Sequence, residues 1–489
     1  MIINVNPEIF RQYDIRGIFN KYLTAEVAQA IGAAYGSFLQ IKTQSSKLKT
    51  QKFKVSVGRD VRLSSNVLRD ALIQGIISTG VDVIDIGECP TPLQYFSIYH
   101  LNLDGGIMIT GSHNPPEFNG FKITIGRETI YGQAIQEIRK IIEQGAGGWG
   151  LRAGKTEHYD IVPAYIECLK KQFLKQSLSN KHAIKLIVDA GNGTAGRIAP
   201  ELLRALGCDV TELFCEPDGN FPNHHPDPTI PENLKDLAET VKTKKADFGI
   251  AYDGDADRIG VVDENGIIIW GDQLMIIFAR DILNQKSEVR SQKSEGKLTF
   301  VGEVKCSQVM YDEIERLGGN AVMWKTGHSL IKSKMKETGA VLAGEMSGHM
   351  FFADRYFGYD DAIYASCRLA EIFSGYRLKE QRIKFSNLLS GLPKTYTTPE
   401  IRVDCPDDKK FGVIDRLSEM LGQKQENIPA IRDIIGIDGL RIVFDNGWAL
   451  IRASNTQPVL VLRFEAATEQ GLQEIKTLVE GRLIKVMAK

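Results

Sequence analysis

Long hydrophobic runs and paired cysteines are both absent from the sequence. No stretch approaches the roughly 18 consecutive apolar residues that a membrane-spanning helix needs, so no membrane contact is expected. The first ten residues carry neither a basic segment nor a long apolar core, so no secretory signal is expected. The seven cysteines are widely spaced and form no CxxC motif, which argues against a disulfide framework or a zinc site. A reducing, cytoplasmic compartment is therefore expected.

An excess of charge of either sign is also missing. The chain has 60 Lys and Arg against 61 Asp and Glu, a formal net charge of −1. A dedicated nucleic-acid binder normally carries a large basic excess, so no nucleic-acid partner is expected. Hydrophobic residues make up 43% and charged residues 25%, an ordinary globular mixture. At roughly 100–200 residues per domain, 489 residues predict three or four domains.

One strand–helix–strand unit recurs three times, over residues 53–86, 184–214 and 299–324. In each unit a β-rich run leads through a polar turn into a helical segment closed by glycine, and a second β-rich run follows. The helical segments are predicted at residues 66–78, 197–206 and 308–317. Units of about 30 residues in this order favour parallel strands with crossover helices. The pattern predicts three similar α/β domains with mixed, largely parallel sheets, and chance similarity among α/β segments is the alternative.

The last part of the chain has a different pattern. Strands are predicted at residues 400–403, 440–444, 448–452 and 459–464, with a hairpin turn at residues 445–447. Helical segments at residues 411–421 and 472–486 flank them, which predicts a smaller α+β domain. The predicted domains are residues 1–158, 159–266, 267–386 and 387–489. The polar segments 42–52 and 284–297 are predicted to be surface insertions.

Residues 110–116, with the sequence TGSHNPP, form the first candidate site. One glycine and two prolines after an apolar run predict a rigid, irregular loop, which could present the Ser112 hydroxyl beside the His113 imidazole. An ordinary turn in which Ser112 bonds its own backbone is the alternative. A hydrolase triad fits poorly, because no GxSxG elbow occurs here and adjacent Ser and His cannot usually reproduce triad geometry. Lys122 places a cation a few residues further on.

Residues 253–258, with the sequence DGDADR, directly follow the apolar end of a predicted strand. They are therefore expected at the strand's carboxyl end, the usual ligand side of an α/β sheet. The carboxylates of Asp253, Asp255 and Asp257 converge if the segment is extended or looped, whereas a helix would spread them around its axis. This density of hard oxygen ligands suits Mg²⁺, and a solvated acidic turn is the alternative.

Two further loops carry clustered polar groups. Residues 344–349, GEMSGH, combine a carboxylate, a hydroxyl and an imidazole, which suit recognition of a polyol by hydrogen bonds. Residues 452–458, RASNTQP, place an arginine, two hydroxyls and an amide on a turn between two strands, which suits a phosphate group. A plain polar loop and a hydrogen-bonded hairpin turn are the respective alternatives.

These four loops, in this order within three repeats and a tail, resemble the α-D-phosphohexomutase family, most closely its phosphomannomutase/phosphoglucomutase branch. The resemblance covers nearly the whole chain, from FRQYDIRG at residues 10–17 to the RASNT loop. Four ordered motifs are far more specific than any one of them. The resemblance implies a fold of four domains around a central cleft.

The resemblance also implies roles for individual residues. Ser112 is implied as the phosphoserine, and as a ligand of Mg²⁺ together with Asp253, Asp255 and Asp257. The other implied residues are Arg16, His113, Lys122 and Arg258 at the catalytic centre, Lys305, His328, Glu345, Ser347 and His349 around the sugar, and Arg452, Ser454, Asn455 and Thr456 at the non-transferring phosphate. Either Lys122 or His113 could move the proton between serine and sugar oxygens.

The implied reaction interconverts hexose 1-phosphate and hexose 6-phosphate, with mannose or glucose as the sugar, through a phosphoserine enzyme and a 1,6-bisphosphate intermediate. Mg²⁺ is the implied cofactor and hexose 1,6-bisphosphate the implied activator. Small sugar phosphates are the expected partners, and the protein is expected to be a monomer or a weak homo-oligomer. A phosphoglucosamine mutase, a metal-dependent sugar phosphatase and a non-catalytic sugar-phosphate sensor are the alternatives. The glucosamine branch usually has Gln where Met346 stands, which argues against the first.

Overall fold

The computed structural model describes residues 4–43, 52–145, 153–173, 183–289, 296–379, 383–422, 430–454 and 457–488. These residues form four sheets that follow one another along the chain. The first three are mixed sheets in which the repeated units supply parallel strand pairs, and the fourth is antiparallel. This confirms the predicted fold class of three α/β domains and a smaller α+β domain.

The first sheet has the strand order β1-β5-β4-β2-β3-β7, with β6 paired to β5. Its strands are β1 (Ile15–Ile18), β2 (Lys54–Arg59), β3 (Asp82–Glu88), β4 (Gly105–Ile109), β5 (Phe118–Ile125), β6 (Glu128–Thr129) and β7 (Thr156–His158). The accompanying helices are α1 (Ala25–Thr43), α2 (Ser65–Ser78), α3 (Thr91–His100) and α4 (Gln133–Glu143). β2 runs parallel to β3 and β4, whereas β5 is antiparallel to β1 and β4.

The second sheet has the order β12-β11-β10-β8-β9. Its strands are β8 (Lys185–Asp189), β9 (Asp209–Leu213), β10 (Phe248–Tyr252), β11 (Ile259–Asp263) and β12 (Ile268–Ile269), and the helices are α5 (Val162–Phe173), α6 (Ala199–Ala205) and α7 (Lys235–Lys244). The predicted helix start at Arg197 is wrong by two residues. A 3-10 turn occupies Thr194–Arg197, and α6 then begins next to Pro200, which suits the first turn of a helix because it has no amide hydrogen.

The third sheet has the order β14-β13-β15-β16. Its strands are β13 (Thr299–Glu303), β14 (Asn320–Trp324), β15 (Leu342–Gly344) and β16 (Met350–Phe352), and the helices are α8 (Gly271–Val289), α9 (Gln308–Arg316), α10 (His328–Thr338) and α11 (Ala362–Lys379). β13 is parallel to both β14 and β15.

The fourth sheet has the order β17-β22-β21-β20-β19, with β18 also paired to β22. Its strands are β17 (Tyr396–Thr397), β18 (Ile401–Asp404), β19 (Ile431–Ile435), β20 (Leu440–Phe444), β21 (Gly447–Ala453) and β22 (Val459–Ala466), and the helices are α12 (Lys410–Gly422) and α13 (Glu469–Met487). The predicted hairpin joins β20 and β21.

Local sequence signals explain several helix ends. Ser307 and Thr468 are the N-caps of α9 and α13, where each side chain accepts a backbone N–H of the first turn. Gly339 adopts a φ of +65° after α10, a left-handed conformation that glycine reaches without strain. The apolar face of α4 places Ile135, Ile138 and Ile142 in the core at helical spacing.

A continuous hydrophobic core joins the first three domains. It runs from Phe96 of α3 through Phe248 of β10 to Phe300 of β13, all buried. Separate clusters fill the opposite faces, where α1, α2 and α4 pack on the first sheet, α7 on the second and α10 on the third. Each of these three sheets therefore lies between two helical layers. α12 and α13 cover one face of the fourth sheet, and Trp448 on its other face meets Val304 of the third domain.

The structure also covers the predicted insertions in part and the cysteines in full. Of the predicted insertions, residues 44–51 and 290–295 lie outside the described residues, whereas residues 42–43 end α1 and residues 284–289 continue α8. All seven cysteines are described as free thiols, and six of them are buried. Within the described ranges no helix is both long and apolar enough to cross a membrane.

Candidate active site

The Ser112 loop follows β4 and holds its serine in a strained conformation. Ser112 has a φ of +48° and is 2% exposed. Its backbone N–H donates to Thr110 Oγ1 at 2.7 Å. Its hydroxyl donates to Asp253 Oδ2 at 2.8 Å, and the Ser112 Oγ atom also lies 3.2 Å from His113 Nδ1. The loop therefore presents the Ser112 oxygen to the second domain instead of to its own backbone.

The three aspartates of the DGDADR loop converge after β10. One oxygen from each of Asp253, Asp255 and Asp257 lies within 4.8 Å of the others, and all three residues are buried. The chain makes this turn at Ala256, whose φ is +57°. Asp253 Oδ1 accepts the backbone N–H groups of Asp257 and Arg258, each at 3.1 Å. The segment is looped, as convergence of the carboxylates requires.

Gly254 allows the aspartate loop and the serine loop to meet. A Cβ at this position would lie 2.6 Å from the Ser112 carbonyl oxygen, closer than any side chain could sit. Substitution of Gly254 would push the two loops apart.

The hydrogen bonds around Asp255 show whether the site suits a metal ion. Lys122 on β5 donates to Asp255 Oδ2 at 2.6 Å and also to Asp257, and Thr91 Oγ1 donates to Asp255 Oδ2 at 2.5 Å. Asp255 Oδ1 is buried and has no hydrogen-bond partner among the described residues. Leaving a buried carboxylate oxygen unpaired is costly. The donor set and the unpaired oxygen fit Mg²⁺.

The charges in this cluster shift one another's ionisation. Burial, together with the charges of Asp257 and Asp255, raises the pKa of Asp253 well above its usual value. Burial alone would lower the pKa of Lys122, but the Asp255 and Asp257 carboxylates raise it well above its usual value. Lys122 is thus held as an ammonium ion, and the carboxylates crowd one another in a way that a divalent cation would relieve.

The GEMSGH loop after β15 adds a second charged network. Glu345 Oε2 lies 2.6 Å from His349 Nδ1, and Ser347 Oγ lies 3.3 Å from the same nitrogen. On the other side of the ring, His349 Nε2 is 3.2 Å from Asp257 Oδ1 and 3.3 Å from Arg258 Nε. His349 therefore connects the sugar loop to the aspartate loop.

Opposite charges stabilise this network in its ionised form. Burial opposes a charged imidazole, but Asp257 and then the hydrogen bonds to Asp257 and Glu345 raise the pKa of His349 to about 9. Burial likewise opposes a charged Glu345, yet its hydrogen bond to His349 lowers its pKa to about 2. Gly327 N–H donates to Glu345 Oε1 at 2.6 Å and fixes the carboxylate.

His328 lies beside this network at the start of α10. Its Nδ1 is 3.7 Å from Asp360 Oδ2, and Asp360 Oδ1 accepts Lys332 Nζ at 2.9 Å. The His328 ring centroid is 5.8 Å from that of His349, and Tyr13 of the first domain meets His328 edge-on at 6.3 Å. Burial and the nearby Lys332 charge lower the pKa of His328 well below its usual value, so its ring is neutral at pH 7.

Lys305 is organised by two glutamates. Its Nζ donates to Glu400 Oε1 at 2.7 Å and lies 3.7 Å from Glu303 Oε1. Glu303 ends β13 fully buried, and also accepts the Thr326 hydroxyl at 2.8 Å and the Met346 N–H at 3.2 Å. One carboxylate thus ties together the three loops of the third domain that carry predicted substrate-binding residues.

Arg452 of the fourth domain is held against the third domain. Its Nε donates to Asp438 Oδ2 at 3.0 Å, and the same oxygen accepts the Thr326 N–H at 3.0 Å. Arg452 is buried, and Asp438 keeps it charged: burial would lower its pKa, but the carboxylate raises it.

The remainder of the RASNT loop is described only at its ends. Ser454 Oγ accepts the Gln457 N–H at 3.2 Å, and Lys410 Nζ donates to the Ser454 carbonyl at 2.5 Å. The predicted phosphate-binding residues Asn455 and Thr456 lie outside the described residues.

Two buried arginines fix the fourth domain on the third. Arg463 donates to the Lys305 carbonyl and lies 3.2 Å from Asp272 Oδ2. Arg441 donates to the Cys306 carbonyl at 2.9 Å. The backbone that carries Lys305 is therefore held from both domains.

Arg16 and His113 complete the predicted set. Arg16 donates to Asp14 Oδ2 at 2.5 Å. Burial, followed by the positive charges of Arg258 and Arg16, lowers the pKa of His113 well below its usual value. His113 is thus neutral at pH 7 and lies among cations.

The structure brings loops of the first three domains into direct contact and connects the fourth through Glu400, Asp438, Arg441 and Arg463. Sequence reasoning missed several residues that support this arrangement: Arg62, Thr91, Glu303, Asp360 and Asp438. Glu303 stands at the end of a predicted strand, which is a signal that could have found it. The others contact partners that are distant in sequence, and no local pattern marks them.

The chain is similar to known proteins along its full length. Family models described as phosphoglucomutase/phosphomannomutase α/β/α domains I, II and III match residues 7–147, 163–266 and 270–396, and the model of the C-terminal domain matches residues 400–481. A Pseudomonas aeruginosa protein named phosphomannomutase/phosphoglucomutase is 46% identical over 475 residues, which are 97% of this chain and 95% of that protein. A phosphoglucomutase of Neisseria gonorrhoeae is 41% identical over 97% of this chain and 96% of its own. The crystal structure of a phosphoglucomutase/phosphomannomutase family protein from Burkholderia thailandensis aligns with a TM-score of 0.85 and 39% identity, covering 99% of this chain and 98% of the other.

Proposed function

The chain belongs to the phosphoglucomutase/phosphomannomutase family of enzymes, and we propose that it interconverts hexose 1-phosphates and hexose 6-phosphates through a phosphorylated Ser112. The observation that carries this proposal is the Ser112 oxygen, 2.8 Å from Asp253 in a buried carboxylate cluster next to the Lys122 ammonium. A phosphoryl group on that oxygen would lie where both a metal ion and a fixed cation can neutralise it.

Asp253, Asp255 and Asp257 would hold Mg²⁺ together with an oxygen of the phosphorylated Ser112. When bound, the ion supplies positive charge that offsets the roughly −2 charge of the phosphoserine. Arg16, Arg258 and Lys122 contribute further positive charge from side chains of the first two domains. A hexose 1,6-bisphosphate would serve as the activator, because it can phosphorylate a free Ser112.

Each transfer moves one phosphoryl group and one proton. The P–O bond to Ser112 breaks, and a new P–O bond forms to the free hydroxyl of the sugar. A protein group gives a proton to the Ser112 oxygen and takes up the proton that the sugar hydroxyl loses. The group that protonates this oxygen must hold a proton beforehand. Lys122 is charged and His113 is neutral, so we assign the donor role to Lys122. His113 then positions the serine oxygen by its contact at 3.2 Å.

The bisphosphate must bind in two orientations before it returns its other phosphoryl group. Glu345 and Ser347 suit the 3- and 4-hydroxyls, which remain equivalent after the flip, with Lys305, His328 and His349 around the ring. Arg452, Ser454, Asn455 and Thr456 suit the non-transferring phosphate. Glu345 Oε2 and His349 Nδ1, 2.6 Å apart, hold each other in place, which supports a preformed sugar site.

Recognition through the 3- and 4-hydroxyls tolerates both glucose and mannose, which differ at C2. Met346 offers no hydrogen-bonding amide for an amino group, so glucosamine phosphate should be a poorer substrate. We also propose that the enzyme works on free sugar phosphates in the cytoplasm as a monomer or weak homo-oligomer, and light scattering of the purified protein would test the latter.

Direct assays distinguish the mutase from its alternatives. Phosphorus NMR should show glucose 1-phosphate or mannose 1-phosphate converting to the 6-phosphate without release of inorganic phosphate, and kcat/KM for glucosamine 1-phosphate should be lower. Peptide mass analysis should find about 80 Da added on Ser112. Stoichiometric release of phosphate would instead identify a phosphatase, and binding without turnover would identify a sensor.

A further inference from the structure

Arg62 is a fully buried arginine whose donors are aimed at the Ser112 loop. Its Nη2 donates to the carbonyls of Ser112 at 2.7 Å and Asn114 at 2.6 Å. Its Nη1 donates to the carbonyls of Pro115 at 2.6 Å and Phe118 at 2.9 Å. Three carbonyls of the irregular loop and that of Phe118, the first residue of β5, therefore share a single guanidinium group, whose side chain is 0% exposed.

Among the described residues, the backbone of this segment supplies a donor to one of these carbonyls: the Phe118 N–H donates to the Pro115 carbonyl at 3.0 Å. Ser112 has a φ of +48° and lies outside any helix or strand, so its carbonyl has no regular ladder partner. Buried backbone carbonyls need a hydrogen-bond donor, and the planar guanidinium supplies several in a fixed geometry. The fit is close, since a Cβ on Gly111 would lie 2.5 Å from the Arg62 guanidinium.

Arg62 is itself held by residues of its own domain, the first, and of the second domain. Asp60 Oδ2 accepts Arg62 Nε at 3.1 Å and also accepts the Gly111 N–H at 3.1 Å. Phe221 of the second domain lies over the guanidinium at 5.1 Å. A Cβ at Gly219 would lie 2.5 Å from the Val61 carbonyl oxygen, so the second domain packs directly on this segment.

We propose that Arg62 is a positioning residue of the phosphoryl-transfer site, which fixes the Ser112 oxygen in line with the aspartate cluster by holding the carbonyls of its loop. The proposal rests on the proposed function, because it concerns the geometry of transfer to and from Ser112. The Ser112 carbonyl lies between Arg62 on one side and the backbone of Gly254 on the other. Movement of this carbonyl would therefore displace Ser112 relative to Asp253.

The test replaces Arg62 by lysine, which keeps the charge but cannot bridge four carbonyls with one nitrogen. Arg62→Lys should lower kcat about 10- to 100-fold, the scale expected when a reacting group shifts by about 1 Å. KM for glucose 1-phosphate should stay within about threefold, because the residues proposed to bind the sugar and its non-transferring phosphate lie in the third and fourth domains. The fraction of turnovers that end in release of inorganic phosphate should rise.

Arg368→Lys is the matched control. Arg368 is also fully buried, donates to Asp354 at 2.9 Å and lies over the Phe352 ring at 4.9 Å, and within the described part of the chain none of its hydrogen bonds or ion pairs is with a site loop. Its lysine variant should lose stability while keeping kcat and the ratio of phosphate release to transfer. The positioning role is wrong if Arg62→Lys keeps the wild-type kcat. It is also wrong if, at equal melting temperature, Arg62→Lys lowers kcat no more than Arg368→Lys does.

Two further measurements keep the test decisive. If Arg62→Lys does not fold, Phe221→Leu is the second variant: it retains the guanidinium but removes the aromatic ring that packs on it. It should then lower kcat while leaving KM unchanged, and an unchanged kcat would overturn the proposal. The wild type is assayed in parallel: no interconversion by the wild type would refute the proposed function, whereas normal wild-type turnover with a normal Arg62→Lys variant refutes the positioning role alone.

Discussion

The hydroxyl of Ser112 donates to Asp253 Oδ2 at 2.8 Å, although 141 positions separate the two residues. A phosphoryl group on Ser112 would add a charge of about −2 beside this carboxylate. In a buried site that repulsion is poorly screened by water. The contact therefore links serine phosphorylation to a cation held by the three aspartates.

Replacement of the acceptor serine should abolish turnover. Ser112→Ala removes the oxygen on which the phosphoryl group would reside, so interconversion of glucose 1-phosphate should fall below detection even with saturating glucose 1,6-bisphosphate. The variant should keep its circular dichroism spectrum and cooperative melting. Ser78→Ala, an exposed position on α2, is the control and should retain activity. Near wild-type activity of Ser112→Ala would exclude this residue as the phosphoryl acceptor.

Magnesium should stabilise the folded protein through the aspartate cluster. A ligand that binds only the folded state at 100 times its Kd adds about 2.7 kcal/mol to the free energy of unfolding. The melting temperature of the wild type should therefore rise as MgCl₂ is added, and chelation should reverse the rise. Asp255→Asn should need more Mg²⁺ for the same shift, whereas Asp70→Asn, an exposed control, should behave as wild type. Equal Mg²⁺ dependence in all three proteins would remove Asp255 from the metal site.

Loss of Arg452 should weaken substrate binding more than chemistry. Charge-assisted hydrogen bonds are worth about 1.5–3 kcal/mol, so Arg452→Ala should raise KM for glucose 1-phosphate roughly 10- to 150-fold. Arg432→Ala removes an exposed arginine of the same domain and should leave KM unchanged. Steady-state kinetics over a wide range of substrate concentration measures KM and kcat of each variant. Unchanged kinetics in Arg452→Ala would remove the RASNT loop from the site.

Asp361 should make the stability of the protein depend on pH. Burial raises its pKa from 3.8 to about 7, even though it accepts hydrogen bonds from Tyr356 at 2.8 Å and Tyr165 at 3.0 Å. Because the folded state holds a proton here that the unfolded state has released, the contribution of Asp361 falls as pH rises from about 4 to about 7. At about 1.4 kcal/mol per pKa unit the loss is roughly 4 kcal/mol at most.

Asp361 Oδ1 also accepts the Tyr364 N–H in the first turn of α11 at 2.8 Å. Asp361→Asn removes the titration but keeps an oxygen that can cap α11 in the same way. Urea unfolding at pH 5 and pH 8 measures the free energy of unfolding of both proteins. The excess of the wild-type value over that of Asp361→Asn should shrink, or change sign, at the higher pH. An advantage that grows between pH 5 and pH 8 would contradict the raised pKa of Asp361.

The class of the fold and the residue types of the chemistry follow from the sequence alone. Strand, glycine-closed helix and strand are local patterns, and β2–β3, β8–β9 and β13–β14 form the parallel pairs that these patterns predict. Ser112 and the aspartates lie in short motifs at strand ends, where polar loops are expected from the chain alone. The start of α6 was misplaced because a 3-10 turn and an α-helix have similar sequence signals.

Tertiary structure decided which of these groups meet and in which protonation state. The contact of Ser112 with Asp253 depends on how two sheets pack, and a single Cβ at Gly254 would prevent it. The raised pKa of Lys122 comes from aspartates of another domain. Arg62 and Glu303 are ordinary residues in the sequence, and they become organising groups because burial forces the carbonyls and amides around them to find a charged partner. Those partners lie far away along the chain, so only the folded arrangement of the domains could identify them.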